Sequence, residues 1–350
     1  MASSLNNPAW VEWMTTLMGG VSRHTHTATL PPDRFHCLLD EPPLHLIPQL
    51  VFKTSQYLEG GRQPLFLNPD YSLCEEGQLP DELASQKDLL SGFAMQGVIA
   101  WVRSPATANL LPFWLGPRLE EVVRGACPDE PMPSSLPGTA RLLLAAANIL
   151  IPHEPDQTGQ RHGQREEATR KASSMFREKG YAPLGNLIHP FHMAALRRYY
   201  RYLIRTGAIK LGDSQSPRRY VAYNEPVARF FHRDIAAALS AVAGEPIKPS
   251  YVYLASYLSG AELKKHTDRE QCEFSVTLCL DFSPEPALAT PWPICLDTPA
   301  GTVTVYQALG DGLAYRGTRL PHYRHVLSEG QTSTSIFFHY VAADFSGSLD

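Results

Sequence analysis

The chain lacks several features that would assign it to a broad class of protein at once. None of its six cysteines forms a CxxC pair, so the usual spacing of a zinc or disulfide-exchange site is absent. The net charge is −4, and no excess of basic residues suggests general binding of nucleic acid. There is no apolar run of about 18 residues, and no basic segment followed by an apolar one near Met1. We therefore expect a cytoplasmic protein with free thiols that binds neither membrane nor nucleic acid.

What is present is an ordinary globular composition in two unlike halves. Hydrophobic residues make up 43% of the chain and charged residues 19%, and 350 residues suffice for one large domain or two modest ones. Residues 1–160 carry many prolines between apolar helical patterns, one of them over residues 139–151, and no catalytic motif. We interpret this half as a mainly helical N-terminal region, acting as a cap or a dimer contact, before a second domain over residues 161–350. The polar, glycine-containing residues 157–167 are predicted to form a linker or a flexible lid.

The most informative motif lies in the second half: His266-Thr267-Asp268, followed further along the chain by His322. Side chains two positions apart on a strand point to the same side, so His266 and Asp268 share one face. A second histidine from another strand would complete a set of two histidines and one carboxylate. That set, with the opposite face of the metal open, is typical of non-heme Fe(II) oxygenases.

Strand patterns surround this motif. Short segments rich in β-branched and aromatic residues alternate with glycine or proline turns. The segments are residues 250–258, 274–280, 301–306 and 332–341. Several short strands of this kind predict an antiparallel barrel or a double-sheet jelly roll.

Two segments carry a resemblance to a known family. They are residues 257–268 (YLSGAELKKHTD) and residues 316–330 (RGTRLPHYRHVLSEG). Together they resemble the 2-oxoglutarate/Fe(II)-dependent dioxygenases, in the prolyl-hydroxylase-like and phytanoyl-hydroxylase-like branches, and the resemblance covers residues 175–345. It implies an α+β fold, in which a double-stranded β-helix (jelly-roll) core has flanking helices and a mainly helical N-terminal region.

The resemblance also implies the ligands and the reaction. His266, Asp268 and His322 would bind Fe(II), and Tyr257 would contact the co-substrate 2-oxoglutarate. O2 would oxidise both the co-substrate, to succinate and CO2, and an unactivated C–H bond of the substrate. Hydroxylation is the expected outcome, but desaturation or cyclisation would use the same ligands. His325 is a rival for His322, but its opposite strand parity and its spacing to the turn favour His322.

One departure from the family concerns the far carboxylate of 2-oxoglutarate. The family usually binds it with an Arg or Lys about ten residues after the distal histidine, where this chain has Gln331, Thr332 and Ser333. A dicarboxylate buried in a barrel needs a cationic partner. Arg324 is our first substitute, because it lies two residues after His322 and so on the same strand face. The further candidates for contacts with the co-substrate are Arg316, Lys265, Thr332 and Thr334.

The substrate is open to several interpretations. We expect a small molecule, such as an amino acid or a natural-product intermediate, because a large N-terminal region would enclose the site. The candidate substrate residues are Arg219, Tyr223, Asn224, Tyr253 and Arg319. The alternatives are a protein side-chain hydroxylase of the same family, a cupin-type metalloenzyme without 2-oxoglutarate, and an inactive barrel that acts as a binding module.

Overall fold

The computed structural model describes residues 30–39, 64–104, 107–152, 155–185 and 187–349, and only the backbone of residues 155–162 and 164. Among the described residues, none of the helices combines the length and the apolarity that crossing a membrane requires.

The described part of the N-terminal region mixes strands and helices. Strands β1 and β5 pair with each other, and β2, β3 and β4 form a three-stranded antiparallel sheet. The elements are β1 (Leu65–Leu67), β2 (Tyr71–Cys74), a 3₁₀ segment (Asp81–Leu90), β3 (Val98–Arg103), β4 (Leu110–Leu115), α1 (Pro117–Arg124), α2 (Gly138–Ala146) and β5 (Leu150–Pro152). The described residues of this region therefore contain two small sheets beside their helical segments, and the mainly helical character of the whole region stays a prediction.

The predicted helix over residues 139–151 ends early for a local reason. Helix α2 stops at Ala146, and Asn148 has a φ of 59°. Asparagine tolerates this left-handed conformation better than most residues, and a single residue in it ends a helix. The apolar residues that follow are extended in β5 instead.

The predicted linker is the first half of a long helix. Helix α3 (Pro155–Lys179) runs through residues 157–167 without a break. This stretch is rich in Gln, Arg and Glu, which favour helix, and Glu167 pairs with Arg170 and Lys171 one turn later. Neither a linker nor a lid is present there. The division of the chain at residue 160 stays a prediction, but the boundary falls inside this helix.

The larger sheet of the C-terminal half has seven antiparallel strands. They follow the order β6-β14-β11-β16-β9-β8-β7 and are β6 (Tyr181–Leu184), β7 (Lys210–Leu211), β8 (Arg219–Tyr223), β9 (Ile247–Tyr257), β11 (Phe274–Ser283), β14 (Gly312–Tyr315) and β16 (Thr332–Ala342). Central strands β9, β11 and β16 are long and rich in aromatic and β-branched residues, which suit a pleated, buried surface.

A smaller antiparallel sheet faces the larger one. Its order is β10-β15-β12-β13, and its strands are β10 (Leu263–His266), β12 (Ile294–Thr298), β13 (Gly301–Val305) and β15 (His322–Arg324). Ile294 and Leu296 of β12 pack in one buried cluster with Leu313 and Tyr315 of β14. The space between the two sheets therefore holds the candidate site.

Helices cover the other face of the larger sheet. They are α4 (Pro190–Arg205), α5 (Pro226–Asp234) and α6 (Ala236–Ala243). The Tyr340 hydroxyl donates to the carbonyl of His232 in α5, 2.7 Å away. The N-terminal region packs on this helix layer in turn, as the rings of Phe35 and Phe231, 5.7 Å apart, illustrate. Its described part thus lies behind the helices, and a role as cap or dimer contact stays a prediction.

Candidate metal centre

The two sheets bring His266, Asp268 and His322 together. His266, the last residue of β10, is paired directly with His322, the first residue of β15. The Nε2 atoms of both histidines lie 3.5 Å from Oδ1 of Asp268, and their ring centroids are 4.4 Å apart. The ligand atoms of all three residues lie within 4.8 Å of one another. The candidate ligand set predicted from the sequence therefore converges in space.

Backbone hydrogen bonds fix which nitrogen of each imidazole is free. Nδ1 of His266 lies 2.7 Å from the carbonyl oxygen of Lys264, and Nδ1 of His322 lies 3.0 Å from that of Leu320. A carbonyl only accepts, so Nδ1 carries the proton in both residues. The lone pair is then on Nε2, which points at Asp268. Such a hydrogen bond is the usual support of a metal-binding histidine.

The electrostatics of the cluster favour a charged carboxylate. Burial alone would raise the pKa of Asp268, but hydrogen bonds donated by a second proton at Nε2 of His266 and His322 outweigh it and hold the pKa well below its usual range. The same hydrogen bond raises the pKa of His266, while burial and the nearby charge of Arg219 lower it. A charged carboxylate and two nitrogens with free lone pairs form the donor set of two histidines and one carboxylate that suits Fe(II).

The rival histidine lies outside this cluster. His325 is exposed, and its ring packs on Tyr323, with 5.4 Å between the centroids. Its backbone carbonyl accepts from Nε1 of Trp292 at 2.6 Å. Strand parity explains the difference, because residues 322 and 325 point to opposite faces of the small sheet. His322 is the histidine that joins the cluster.

Arg324 lies beside the cluster, in the space between the sheets. Its side chain shares the inner face of β15 with His322, and the residue is only 4% exposed. Nη1 donates to the carbonyl of Trp292 at 2.5 Å, and Nη2 donates to Oε1 of Gln307 at 3.2 Å. Nε is buried without a hydrogen-bond partner among the described residues. Burial lowers the pKa of Arg324, and no described carboxylate forms an ion pair with it.

Two tyrosines connect Arg324 to the metal cluster. The ring of Tyr315 lies 4.8 Å from that of His322; burial raises the pKa of its hydroxyl, the charge of Asp268 raises it further, and the charge of Arg324 opposes the rise. Tyr257, predicted to contact 2-oxoglutarate, is fully buried within reach of the Arg324 charge, which lowers its pKa against the larger effect of burial. The two hydroxyls therefore lie in the same interior region as the guanidinium.

The two predicted threonine contacts lie on the wrong face. Oγ1 of Thr334 donates to Oγ of Ser256 at 2.8 Å. Ser256 and Tyr257 are neighbours in β9, so their side chains point to opposite faces. Thr334, and Thr332 two residues before it, therefore face away from Tyr257. By the same alternation, the hydroxyls that face inward from β16 belong to its buried serines, Ser333 and Ser335.

The other two cations proposed for the co-substrate already have acidic partners. Arg316 lies 3.4 Å from Glu245 and 3.7 Å from Glu273 and stacks over Phe274, on the helix side of the larger sheet. Lys265 is half exposed and pairs with Asp297 at 2.7 Å. A cation whose charge is already compensated is a poor binder of a further carboxylate, so neither Arg316 nor Lys265 is placed to bind the co-substrate.

Three of the predicted substrate residues share the inner face of β8 and β9. Arg219 is buried, donates to the hydroxyl of Tyr257 at 3.3 Å and pairs with Asp213 at 2.5 Å. The hydroxyl of Tyr253 donates to the same Asp213 at 2.9 Å. Tyr223, the most exposed of the three, has its ring 4.5 Å from that of Tyr253. They form a wall that leads from the surface toward Tyr257.

The other two substrate candidates are placed differently. Asn224 has a φ of 48°, and its Oδ1 accepts from the backbone nitrogen of Val252 at 3.1 Å, so its side chain holds the end of β8. This is a structural role, and it removes Asn224 from the candidates. Arg319 is exposed in the turn before β15.

Sequence reasoning missed the residues behind the carboxylate. Ser275 donates to Oδ2 of Asp268 at 3.1 Å, and Nδ1 of His339 lies 2.9 Å from the serine oxygen. Burial lowers the pKa of His339 to about 4, so its ring is neutral. Strand parity in β11 and β16 was the available signal, but without the register of the two strands it does not reveal that these side chains meet.

No protein-family model matches the chain, and no curated protein matches it in sequence. Solved structures resemble it over half its length. The α-ketoglutarate-dependent epimerase SnoN of nogalamycin biosynthesis is 14% identical, with a TM-score of 0.43, over 51% of this chain and 82% of SnoN. A Pseudomonas putida prolyl-4-hydroxylase is 15% identical, with a TM-score of 0.41, over 50% of this chain and 98% of its own. HygX from Streptomyces hygroscopicus, solved with nickel, 2-oxoglutarate and hygromycin B, is 13% identical, with a TM-score of 0.40, over 50% and 88%.

At such identities and scores, the function of this chain rests on its own residues.

Proposed function

We propose that this protein is an Fe(II)/2-oxoglutarate-dependent dioxygenase that oxidises, in the first instance hydroxylates, a C–H bond of a small molecule. The observation that carries the proposal is the guanidinium of Arg324. It is buried beside the candidate metal ligands and has no acidic partner among the described residues. An unpaired buried charge is costly, so such a group is best explained by a carboxylate that arrives with a ligand.

The residues present fit both parts of the cofactor requirement. His266, Asp268 and His322 would hold Fe(II) on one face, leaving the opposite face for co-substrate and O2. Arg324, with five N–H donors, would hold the far carboxylate of 2-oxoglutarate, and Tyr257 would add a hydroxyl contact. When bound, the iron supplies oxidation of a C–H bond coupled to decarboxylation of 2-oxoglutarate to succinate and CO2. The two facing antiparallel sheets would then form the double-stranded β-helix of this family.

The substrate would enter along the wall formed by Tyr223, Tyr253 and Arg219. The inner end of this wall is Arg219, which is paired with Tyr257 across the two strands and contacts its hydroxyl at 3.3 Å. It combines exposed aromatic surface with groups already hydrogen-bonded to Asp213, which suits a ligand held by ring contacts and a few polar bonds. A small-molecule substrate remains our proposal. A cytoplasmic location, a homodimer and the absence of membrane and nucleic-acid partners stay predictions.

An anaerobic titration tests the proposal. Metal-free protein is loaded with Fe(II) and then with 2-oxoglutarate, while the visible charge-transfer band of a bidentate keto acid on iron is recorded. We expect the band only with both ligands, its loss in Asp268→Ala, and a much weaker 2-oxoglutarate affinity in Arg324→Leu. Arg205→Leu, which removes an exposed arginine of α4 on the other side of the larger sheet, is the control and should behave as the parent protein.

Two outcomes would contradict the proposal. Tight iron binding without the band would favour a different metalloenzyme. Absence of iron binding altogether would favour a binding module.

A further inference from the structure

Both oxygens of the Asp268 carboxylate have defined contacts, including the one that faces away from the two histidines. Oδ1 lies 3.5 Å from both Nε2 atoms of the candidate ligands. Oδ2 points the other way and accepts a hydrogen bond from Ser275. The two oxygens of one carboxylate therefore have different partners.

The hydrogen bonds behind Oδ2 have one consistent direction. The Ser275 hydroxyl has one proton and two oxygen acceptors, Oδ2 of Asp268 at 3.1 Å and the carbonyl of Cys272 at 3.3 Å, and the nearer, charged carboxylate is the stronger acceptor. The oxygen of Ser275 is then free to accept from Nδ1–H of His339, 2.9 Å away. Both residues are almost fully buried, on adjacent inward positions of the paired strands β11 and β16. The result is a relay from His339 through Ser275 to Asp268.

The backbone around this relay leaves Oδ2 no freedom to move backward. A Cβ atom at Gly317 would collide with Oδ2 of Asp268 and would lie 2.8 Å from Oγ of Ser275. The amide of Asp268 donates to the carbonyl of Gly317 at 2.9 Å. Glycine is therefore required for close approach, and the carboxylate is held from behind by both backbone and side chain.

We propose that Ser275 and His339 are positioning residues that keep Asp268 a one-oxygen ligand and so preserve an open coordination position for the co-substrate. This inference rests on the function proposed above. A carboxylate binds a metal through one oxygen or through both, and a second oxygen would occupy a position that 2-oxoglutarate or O2 needs. The hydrogen bond to Oδ2 stops rotation of the carboxylate toward the metal.

Cobalt reports the number of ligands directly, so the test uses Co(II) alone and then Co(II) with 2-oxoglutarate. Ser275→Ala should change the visible spectrum of the Co(II) protein toward a higher coordination number. It should also weaken the apparent affinity for 2-oxoglutarate roughly 10- to 100-fold, the usual cost of losing an outer hydrogen bond at a metal site. His339→Leu should act in the same direction, and His339→Asn, which keeps a donor near Nδ1, should restore much of the affinity.

Ser256→Ala is the matched control. Ser256 is also a buried serine of the larger sheet, but its hydroxyl bonds to Thr334 on the opposite face. Its Co(II) spectrum and 2-oxoglutarate affinity should equal those of the parent protein. Thermal unfolding of every variant separates a general loss of stability from a change at the metal.

The outcomes distinguish this inference from the function on which it rests. If the parent protein binds Co(II) but shows no response to 2-oxoglutarate, the proposed function fails. If the parent responds and Ser275→Ala gives the same spectrum and affinity, only the positioning role fails.

Discussion

Two buried arginines show how the same side chain serves different purposes in this molecule. Arg197 of α4 is 3% exposed and bonds Asp281 of β11 at 2.9 Å and Glu285 at 3.1 Å. Arg324, on the other side of the larger sheet, is 4% exposed, and its hydrogen-bond partners among the described residues are a backbone carbonyl and a side-chain amide. The carboxylates that pair with Arg197 belong to the protein itself, so this arginine links helix α4 to the larger sheet. Arg324 has none among the described residues, so its carboxylate is expected from outside.

The comparison predicts that mutations at the Arg197 ion pair lower the stability of the protein, whereas mutation of Arg324 lowers its affinity for 2-oxoglutarate. The largest effect is expected at the Arg197 ion pair. Asp281→Ala would leave the buried Arg197 with only the more exposed Glu285. Removing one partner of a buried ion pair typically costs about 3 kcal/mol or more. We expect a clear fall in the free energy of unfolding, measured by urea denaturation of the metal-free protein. Little or no fall would mean that this pair is not structural.

Arg324→Leu should leave the stability of the protein almost unchanged and weaken its binding of 2-oxoglutarate. The free energy of unfolding of the metal-free protein should change by less than about 1 kcal/mol, because relief of an unpaired buried charge offsets two lost hydrogen bonds. Binding of 2-oxoglutarate to the Co(II) protein should fall roughly 10- to 100-fold, the value of a hydrogen bond between charged groups. Calorimetry measures the second effect. A variant that unfolds easily yet binds normally would make Arg324 the structural residue.

Gly317→Ala should weaken metal binding without changing the contacts of Arg197 or Arg324. The added methyl group would push on Oδ2 of Asp268 and on Ser275. We expect roughly a 10- to 100-fold loss of Co(II) affinity, the usual range for outer-shell changes, measured by competition with a chelator. Gly330→Ala is not a suitable control, since Gly330 has a φ of 73°. Gly138→Ala is, because a Cβ there meets open space at the start of a helix.

Lowering the pH should weaken metal binding by a smaller, graded amount. Asp268 raises the pKa of His266 above its usual 6.5, so a proton competes with the metal at Nε2. Co(II) affinity should begin to fall as the pH drops through that raised value, above 6.5. For the metal-free protein the sign is opposite: the His266–Asp268 interaction stabilises the fold below 6.5 and is lost as pH rises through the raised pKa. Affinity that is constant across this range would exclude His266 as a ligand.

The residues of the candidate metal centre were predictable to the extent that their geometry is local. His266 and Asp268 share a face through a two-residue spacing, and Arg324 follows His322 by the same rule. The predicted co-substrate contacts of Thr332 and Thr334 lie on the opposite face of β16. The strand was right, but the face that each of its side chains occupies depends on the register. Ser275 and His339 meet across two strands far apart in sequence, and a single sequence contains no signal for that register.

The N-terminal half shows a second kind of limit. A short apolar run such as Val98–Arg103 suits a buried strand and a buried helix equally well, and only its neighbours β2 and β4 decide between them. The polarity and the two glycines of residues 157–167 favour a linker, yet a continuous helix tolerates both glycines at a modest cost.

The pairing of β10 with β15 has a consequence for the stability of one edge of the molecule. Strand β10 is the outermost strand of the smaller sheet, has four residues, and meets β15 at only two registered positions, His266 opposite His322 and Leu263 opposite Arg324. A metal bound by both histidines would hold this short edge strand against β15. Amide hydrogen exchange along β10 would then report metal occupancy, because local opening of this strand would require His266 to leave the metal.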